Sequence, residues 1–409
     1  MRWSFWAAMV FNREQQPSML RDFVFSGALR GYAISAGFAV QLLLSNVTTK
    51  VAFGQINTFI SMVLLLTFLA TSAPTRQLVR ELGAFGLTER RRLAQEFIGN
   101  AHLWIILSAA VALAALFLGE TDLALIVATV AVIFAAAIYS AYFRGIGRYV
   151  IGNIEAGVIR STVFMAILAI AMLFGRELAV PVAQLSYLGA VAIGLLLLMF
   201  ARGDWPSIEF SRRVLWPYGT FPLTLTILAG LETFFVNFDI IVTTYLYGAD
   251  VTAEVRVAQQ LRSLTMLPLQ VYLMFAFDRL SRTLRTGVET SARRREIALI
   301  RILLAVTFIA AIALSGLFGT LFFEGGTDFL TTLAVLSGVV PIMLFGPKAE
   351  LVIAAAREGD HKAKTMVFLL AYVVLTPFLC WALDLPPWSY FCAQATMSAF
   401  FFTSLPKAI

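Results

Sequence analysis

Residues 298–322 read ALIRILLAVTFIAAIALSGLFGTLF, and Arg293-Arg294-Arg295 stand just ahead of them, separated by Glu296 and Ile297. Arg301 is the one charge in these 25 residues. A helix of this length, rising about 1.5 Å per residue, covers the roughly 30 Å hydrocarbon core of a bilayer. The arginine triplet at one end is the flank expected on the cytoplasmic side of a membrane helix.

The same pattern recurs in both directions along the chain. Twelve spans are expected, at 23–45, 56–74, 101–118, 123–143, 155–174, 182–201, 217–246, 257–277, 298–322, 329–347, 365–383 and 388–405. Composition agrees. The 409 residues are 60% hydrophobic and 13% charged, well below the roughly 25% charge of soluble domains. The expected class is an all-α polytopic membrane protein. Pro222 and Pro268 supply bends in the seventh and eighth spans, and Pro341 and Pro347 mark the tenth.

Charge sets the orientation. Of the 31 Lys and Arg residues, 24 fall on one side of the alternating loops and three (Lys50, Arg176, Arg256) on the other. The remaining four lie inside spans. Both termini are therefore expected in the cytoplasm. The organisation follows: an interfacial N-terminal segment 1–22, six spans over 23–201, a cytoplasmic linker 202–216, six spans over 217–405 and a tail 406–409. The basic runs Arg90-Arg91-Arg92 and Arg293-Arg294-Arg295 read as topology signals that touch anionic lipid headgroups, with no nucleic-acid partner implied. Outer loops are short, the longest being about ten residues at 46–55 and 247–256. That disfavours an extracellular polymerase or ligase.

A weak repeat adds to this. Val47-Thr48-Thr49 before Gly54 is echoed by Val242-Thr243-Thr244 before Gly248, six spans later. Six is even, so the two halves are expected to run parallel.

Four arginines lie within apolar spans: Arg30, Arg160, Arg262 and Arg301. A charge at the bilayer centre costs about 2.5–3.5 kcal/mol on insertion scales, so such groups pair, snorkel or line a wet cavity. Arg30 shares a helical face with Ser26, Gly37, Gln41 and Ser45, a polar stripe expected to face a cavity or a partner helix. Gly27 and Gly31 read as a helix-packing pair. Arg262 and Glu232 fall at one depth on adjacent antiparallel spans, with Asp239 seven residues further along. Either a structural ion pair or a proton-linked switch fits that placement. Arg301 is expected to snorkel. His102, Glu96 and Glu155 read as boundary residues without a special role. Cys380, Cys392, His102 and His361 are scattered, so neither metal nor cofactor is expected. No Gly-rich phosphate loop, Ser/His/Asp set or carboxylate pair appears, so no enzyme is expected.

Four stretches carry a family resemblance. They are Phe68 to Arg80, Ala141 to Arg160, Asn237-Phe238-Asp239-Ile240-Ile241 with Gly248, and Val257 to Pro268. With them the chain resembles the polysaccharide flippases of the multidrug/oligosaccharidyl-lipid/polysaccharide exporter superfamily. The resemblance implies two six-helix lobes around a central cavity, alternating access, and a polyprenyl-diphosphate-linked glycan as cargo in a bacterial inner membrane. On that reading Arg30 and Arg262 contact the diphosphate, joined by Arg160 and Gln41. Glu232 and Asp239 are candidates for ion coupling, and Pro222 and Pro268 for hinges. A monomer is expected, and its candidate protein partner is polysaccharide polymerase or export machinery. The alternatives are a cation-coupled multidrug exporter, led by Glu232 and Asp239, and a membrane-embedded glycan polymerase or glycosyltransferase.

Overall fold

The computed structural model describes residues 19–84, 87–146, 148–175, 177–202, 223–270, 272, 291–345 and 362–404. Each expected span overlaps a described helix, and no strand occurs among the described residues. In chain order they are α1 (Met19–Val47), α2 (Lys50–Ala84), α3 (Leu87–Phe117) and α4 (Thr121–Gly145). Next is α5, built from Tyr149–Ile154, a π turn Glu155–Ile159 and Arg160–Leu173, then α6 (Val180–Arg202). The second half holds α7 (Leu223–Tyr247), α8 (Ala249–Thr265) and α9 (Ser291–Phe322). It continues with α10, in two pieces Phe329–Ser337 and Val340–Phe345. Then comes α11, in which a π turn Ala371–Leu375 joins Lys362–Leu370 to Thr376–Ala382, and last α12 (Pro387–Ser404).

Six of these helices are long and apolar enough to cross a membrane, and four shorter apolar helices accompany them. α8 falls in neither group. It carries Asp250, Glu254, Arg256, Gln259, Gln260 and Arg262, so it lies inside the protein and not against lipid.

Helices α1–α6 pack among themselves, as do α7–α12. Lipid tails are as apolar as leucine, so helices associate in a bilayer through close packing of small residues. α4 shows this. Its Ala131, Ala135, Ala136, Ser140 and Ala141 are buried where it meets α2 and α3. α9, with 17% of its spanning window buried, faces outward instead.

The halves meet chiefly where α2 packs on α7 and α8. One buried apolar cluster joins Leu44 of α1, Phe53 and Ile56 of α2 and Tyr187 of α6 to Ala253 and Val257 of α8 and Phe322 of α9.

Two outer segments differ from expectation. Stretches 46–55 and 247–256 are not ten-residue loops: α2 begins at Lys50 and α8 at Ala249. Gly248 alone makes the second turn, at φ +87°, which a side chain would strain. The charged residues here are helical, and Lys50 pairs with both Asp250 and Glu254. Arg256 therefore sits in the third turn of α8 and not in an outer loop. Gly54 is helical and Gly248 is not, so the two glycines of the sequence repeat differ in conformation.

The expected breaks are found where they are described. α8 ends at Thr265, three residues before Pro268, and Thr307 Oγ1 donates to the Thr265 carbonyl at 3.0 Å. α10 is interrupted at 338–339, ahead of Pro341. Pro222, Pro347, His361, segment 1–18 and linker residues 203–216 lie outside the described residues.

Candidate functional site

Arg262 sits near the end of α8, half-buried. Its guanidinium lies over the break in α10: a Cβ added to Gly338 would be 3.0 Å from Arg262 Cζ. Only glycine lets the guanidinium approach the backbone so closely there. Among the described residues no carboxylate pairs with Arg262. Asp239 of α7 lies within electrostatic reach but not in contact. The result is a half-buried guanidinium beside a discontinuous helix, without a close ion pair among the described residues and with the buried Asp239 as its nearby counter-charge.

Asp239 is fully buried and held by three neutral donors. Gln394 Nε2 donates to Oδ1 at 2.7 Å, and Tyr390 Oη donates to the same oxygen at 3.1 Å. Tyr372 Oη donates at 3.1 Å to Oδ1 and 3.2 Å to Oδ2. Tyr372 comes from the π turn of α11, and Tyr390 and Gln394 from α12. Phe235 stacks on Tyr372 with ring centroids 3.9 Å apart. Sequence reasoning missed these three partners. Tyr390 and Gln394 were within reach of it, being polar residues four apart on an apolar helix.

Arg160 is paired. Its Nη2 donates to Glu155 Oε1 at 3.0 Å and Oε2 at 3.1 Å, and its Nε donates to Oε1 at 3.2 Å. Glu155, read from sequence as a boundary residue, is 2% exposed and is the buried partner of this bridge. Gly194 of α6 makes room for it, since a Cβ there would stand 2.8 Å from Glu155 Cγ.

Along α1 the polar stripe changes surroundings. Nothing described lies within 4 Å of a Cβ built on Gly31 or Gly37, so close packing at Gly31 is not seen. Gln41 and Ser45, further out, are buried, and Gln41 Oε1 has no hydrogen-bond partner. α1 carries Arg30 and α7 carries Glu232, but their side chains lie outside the described residues. The Glu232–Arg262 juxtaposition therefore has no described geometry. Arg301 donates from Nε to the Met343 carbonyl at 2.8 Å, tying α9 to the last turn of α10.

The halves also meet where α2 and α8 begin. Lys50 Nζ donates to Glu254 Oε1 at 2.6 Å and lies 3.4 Å from Asp250 Oδ1. Glu254 Oε2 accepts the backbone N–H of Asp328 at 3.1 Å. Below this, Thr58 and Thr244 share a 2.6 Å hydrogen bond, and Thr244 another of 2.9 Å with Thr252. Gly54 touches the backbone of Ala249: an added Cβ would fall 1.9 Å from its carbonyl oxygen.

No protein-family model and no curated protein matches this chain. Solved structures do. The chain is similar to the inward-facing conformation of a multidrug resistance MATE family transporter of the MOP superfamily, with TM-score 0.61 and 12% identity over 90% of this chain and 91% of that one. Likeness to an outward-facing conformation of such a transporter has TM-score 0.50 at 12% identity, over 92% and 93% of the two chains. A MOP superfamily transporter from Pyrococcus furiosus, described as having a binding pocket of reverse polarity that suggests a different function, matches with TM-score 0.53 and 13% identity over 93% of both chains. At these identities the likeness shows the fold.

Proposed function

We propose that this chain is a transporter carrying a polyprenyl-diphosphate-linked oligosaccharide across the bacterial inner membrane for surface polysaccharide assembly. The observation that carries the reading is Arg262, which has no ion-pair partner among the described residues and stands over the broken α10. A guanidinium offers a fork of donors that matches phosphate oxygens, and it keeps its proton at any relevant pH. A diphosphate is the membrane-borne group that most needs such a counter-charge. Arg30, on the stripe of α1 whose Gly37 meets no described atom within 4 Å, is the second contact from the other half. Gln41 would offer a neutral hydrogen bond. Arg160 is already neutralised by Glu155, so the proposal rests on Arg262 and Arg30.

Alternating access between two lobes is the mechanism. The Lys50–Glu254 and Gly54–Ala249 contacts close the outer end, which accords with the higher TM-score to an inward-facing structure. Release outward requires these contacts to part, with bending at the α8 break before Pro268 as the proposed hinge. The lipid tail stays in the bilayer while the glycan crosses between the lobes.

A second reading, a cation-coupled multidrug exporter, is favoured by one observation. Asp239 is a buried carboxylate ringed by three neutral donors, a group suited to exchanging a proton or small cation. The two readings combine if Asp239 couples an ion gradient to glycan movement.

Sidedness of intermediates tests the proposal. A strain lacking this chain is expected to accumulate lipid-linked glycan units on the cytoplasmic leaflet, and Arg262→Ala or Arg30→Ala should fail to rescue it although the protein inserts. Full rescue by both variants removes the arginines from the mechanism. Normal glycan export alongside drug sensitivity selects the second reading.

A further inference from the structure

A cavity of about 280 Å³ opens at the basic side of the first half, away from Arg262 and Asp239. Its walls are helix ends: Gln95 from α3, Tyr142 and Phe143 from α4, Arg148 from the link into α5, and Arg202 from the last turn of α6. Two of the lining residues are arginines, and among the described residues none of the lining is a carboxylate.

Arg202 is the informative residue. Its guanidinium lies 5.4 Å from the centroid of the Tyr142 ring, so the aromatic face holds it in place. The guanidinium also stands beside the Tyr139 hydroxyl, but its Nη1 is buried and has no hydrogen-bond partner among the described residues. A buried guanidinium N–H without an acceptor is uncommon, because desolvation is then uncompensated. Arg202 stands in the last turn of α6, where the helix dipole favours a cation. Arg148 is exposed at the same cavity, which leaves an entrance from the membrane surface.

We propose that this cavity binds a phosphate-bearing anion, held between Arg202 and Arg148. The volume lies just below the roughly 300 Å³ at which small-molecule sites begin, and suits a compact headgroup better than an oligosaccharide. The cavity lies where the apolar spans of α4 and α6 end, at Gly145 and Arg202, which is where a headgroup layer would begin. Anionic phospholipid is concentrated there, and basic pockets between membrane helices on this side take such headgroups. The shared chemistry is a phosphate oxygen accepting from Arg202 Nη1 and from the Arg148 guanidinium. The source is a lipid headgroup or free phosphate. The site is independent of the transport reading, since neither arginine belongs to the proposed cargo path.

The test uses full-length protein in detergent, titrated with phosphatidylglycerol, cardiolipin or phosphatidylcholine and read by native mass spectrometry. The anionic lipids should be retained at concentrations where phosphatidylcholine is lost. Arg202→Gln and Arg148→Gln should each weaken retention about tenfold, the loss of one charge-assisted contact. Lys364→Gln, an exposed basic residue on α11, should leave it unchanged. Displacement by millimolar inorganic phosphate assigns the site to free phosphate, and resistance to it assigns the site to a headgroup. Arg148 is exposed, so its variant tests the proposal even where Arg202→Gln impairs folding. Retention by both variants equal to the unmodified protein overturns the proposal, as does an equal loss in Lys364→Gln.

Discussion

Glu155 and Arg160 stand five residues apart on one helix and yet form a bidentate ion pair with contacts of 3.0 and 3.1 Å. In an α-helix, residues five apart point about 140° away from each other. The π turn Glu155–Ile159 removes that offset, because its bonds run between residues five apart. The Arg160 N–H accordingly bonds the Glu155 carbonyl, and the side chains follow the backbone into register.

Removing one partner of this pair leaves an uncompensated buried charge. Glu155→Gln should destabilise the protein by about 3–5 kcal/mol. Thermal unfolding in detergent measures it. The double variant Glu155→Gln with Arg160→Met should recover most of the loss. A double variant no more stable than Glu155→Gln would show that the pair is not the source of the effect.

Gly54→Ala places a methyl group on the Ala249 carbonyl, where 1.9 Å separates an added Cβ from oxygen. Backbone on the other side cannot rotate away, so α2 and α8 must separate. The outer end should then open more often. A Thr58→Cys, Thr244→Cys pair, which replaces a 2.6 Å contact, should crosslink readily in an otherwise unmodified chain. Adding Gly54→Ala to that pair should slow the crosslink at least severalfold. Lys50→Ala should act in the same direction and more mildly, since its ion pairs are partly exposed.

Asp239→Asn keeps shape and removes charge. The amide NH₂ then faces donors from Tyr372, Tyr390 and Gln394, and one donor loses its acceptor at a cost of about 1–3 kcal/mol. Transport into proteoliposomes should lose its dependence on an imposed proton or sodium gradient. Gradient-dependent transport at the unmodified rate in this variant would remove Asp239 from coupling.

Asp328, between the spans, caps α10 by accepting the Thr331 N–H at 2.8 Å. Burial pushes its carboxyl upward, but the hydrogen bonds from Thr331 and Leu330 outweigh this and hold it below its ordinary value of 3.8. A depressed folded value means that the stabilisation is complete above the unfolded pKa and fades as pH falls through the folded one. Asp328→Ala should cost about 1 kcal/mol at neutral pH. Melting curves at neutral pH and below pH 3.8 should show the difference between variant and parent shrinking in acid.

Particular residues show where one-dimensional reading succeeds and where it stops. Residues 298–322 announced a membrane helix, and helix Ser291–Phe322 contains them. Pro268 announced a bend and α8 ends three residues before it, while Pro341, which only marked the tenth span, follows a break at 338–339, because proline cannot supply the N–H that continues the ladder. The eighth span was expected from residue 257, whereas α8 begins at Ala249. Asp250, Glu254 and Arg256 look like loop residues in one dimension, and only their surroundings across the molecule allow them to be helical. Glu155 was passed over for a similar reason: its partner is reached through a π turn that spacing by four does not anticipate.

The class and the twelve helices could be read from the linear chain. They follow from transfer of apolar side chains and backbone into hydrocarbon, a property of each segment taken alone. Which buried charges are neutralised emerged only once the helices were packed. Arg160 finds Glu155, Asp239 finds two tyrosines and a glutamine, and Arg262 lies over Gly338 with no carboxylate in contact among the described residues. The energy of a charge in a low-dielectric interior depends on groups within a few ångströms. For Asp239 those groups come from helices more than a hundred residues away in the chain, a distance that no local pattern can bridge.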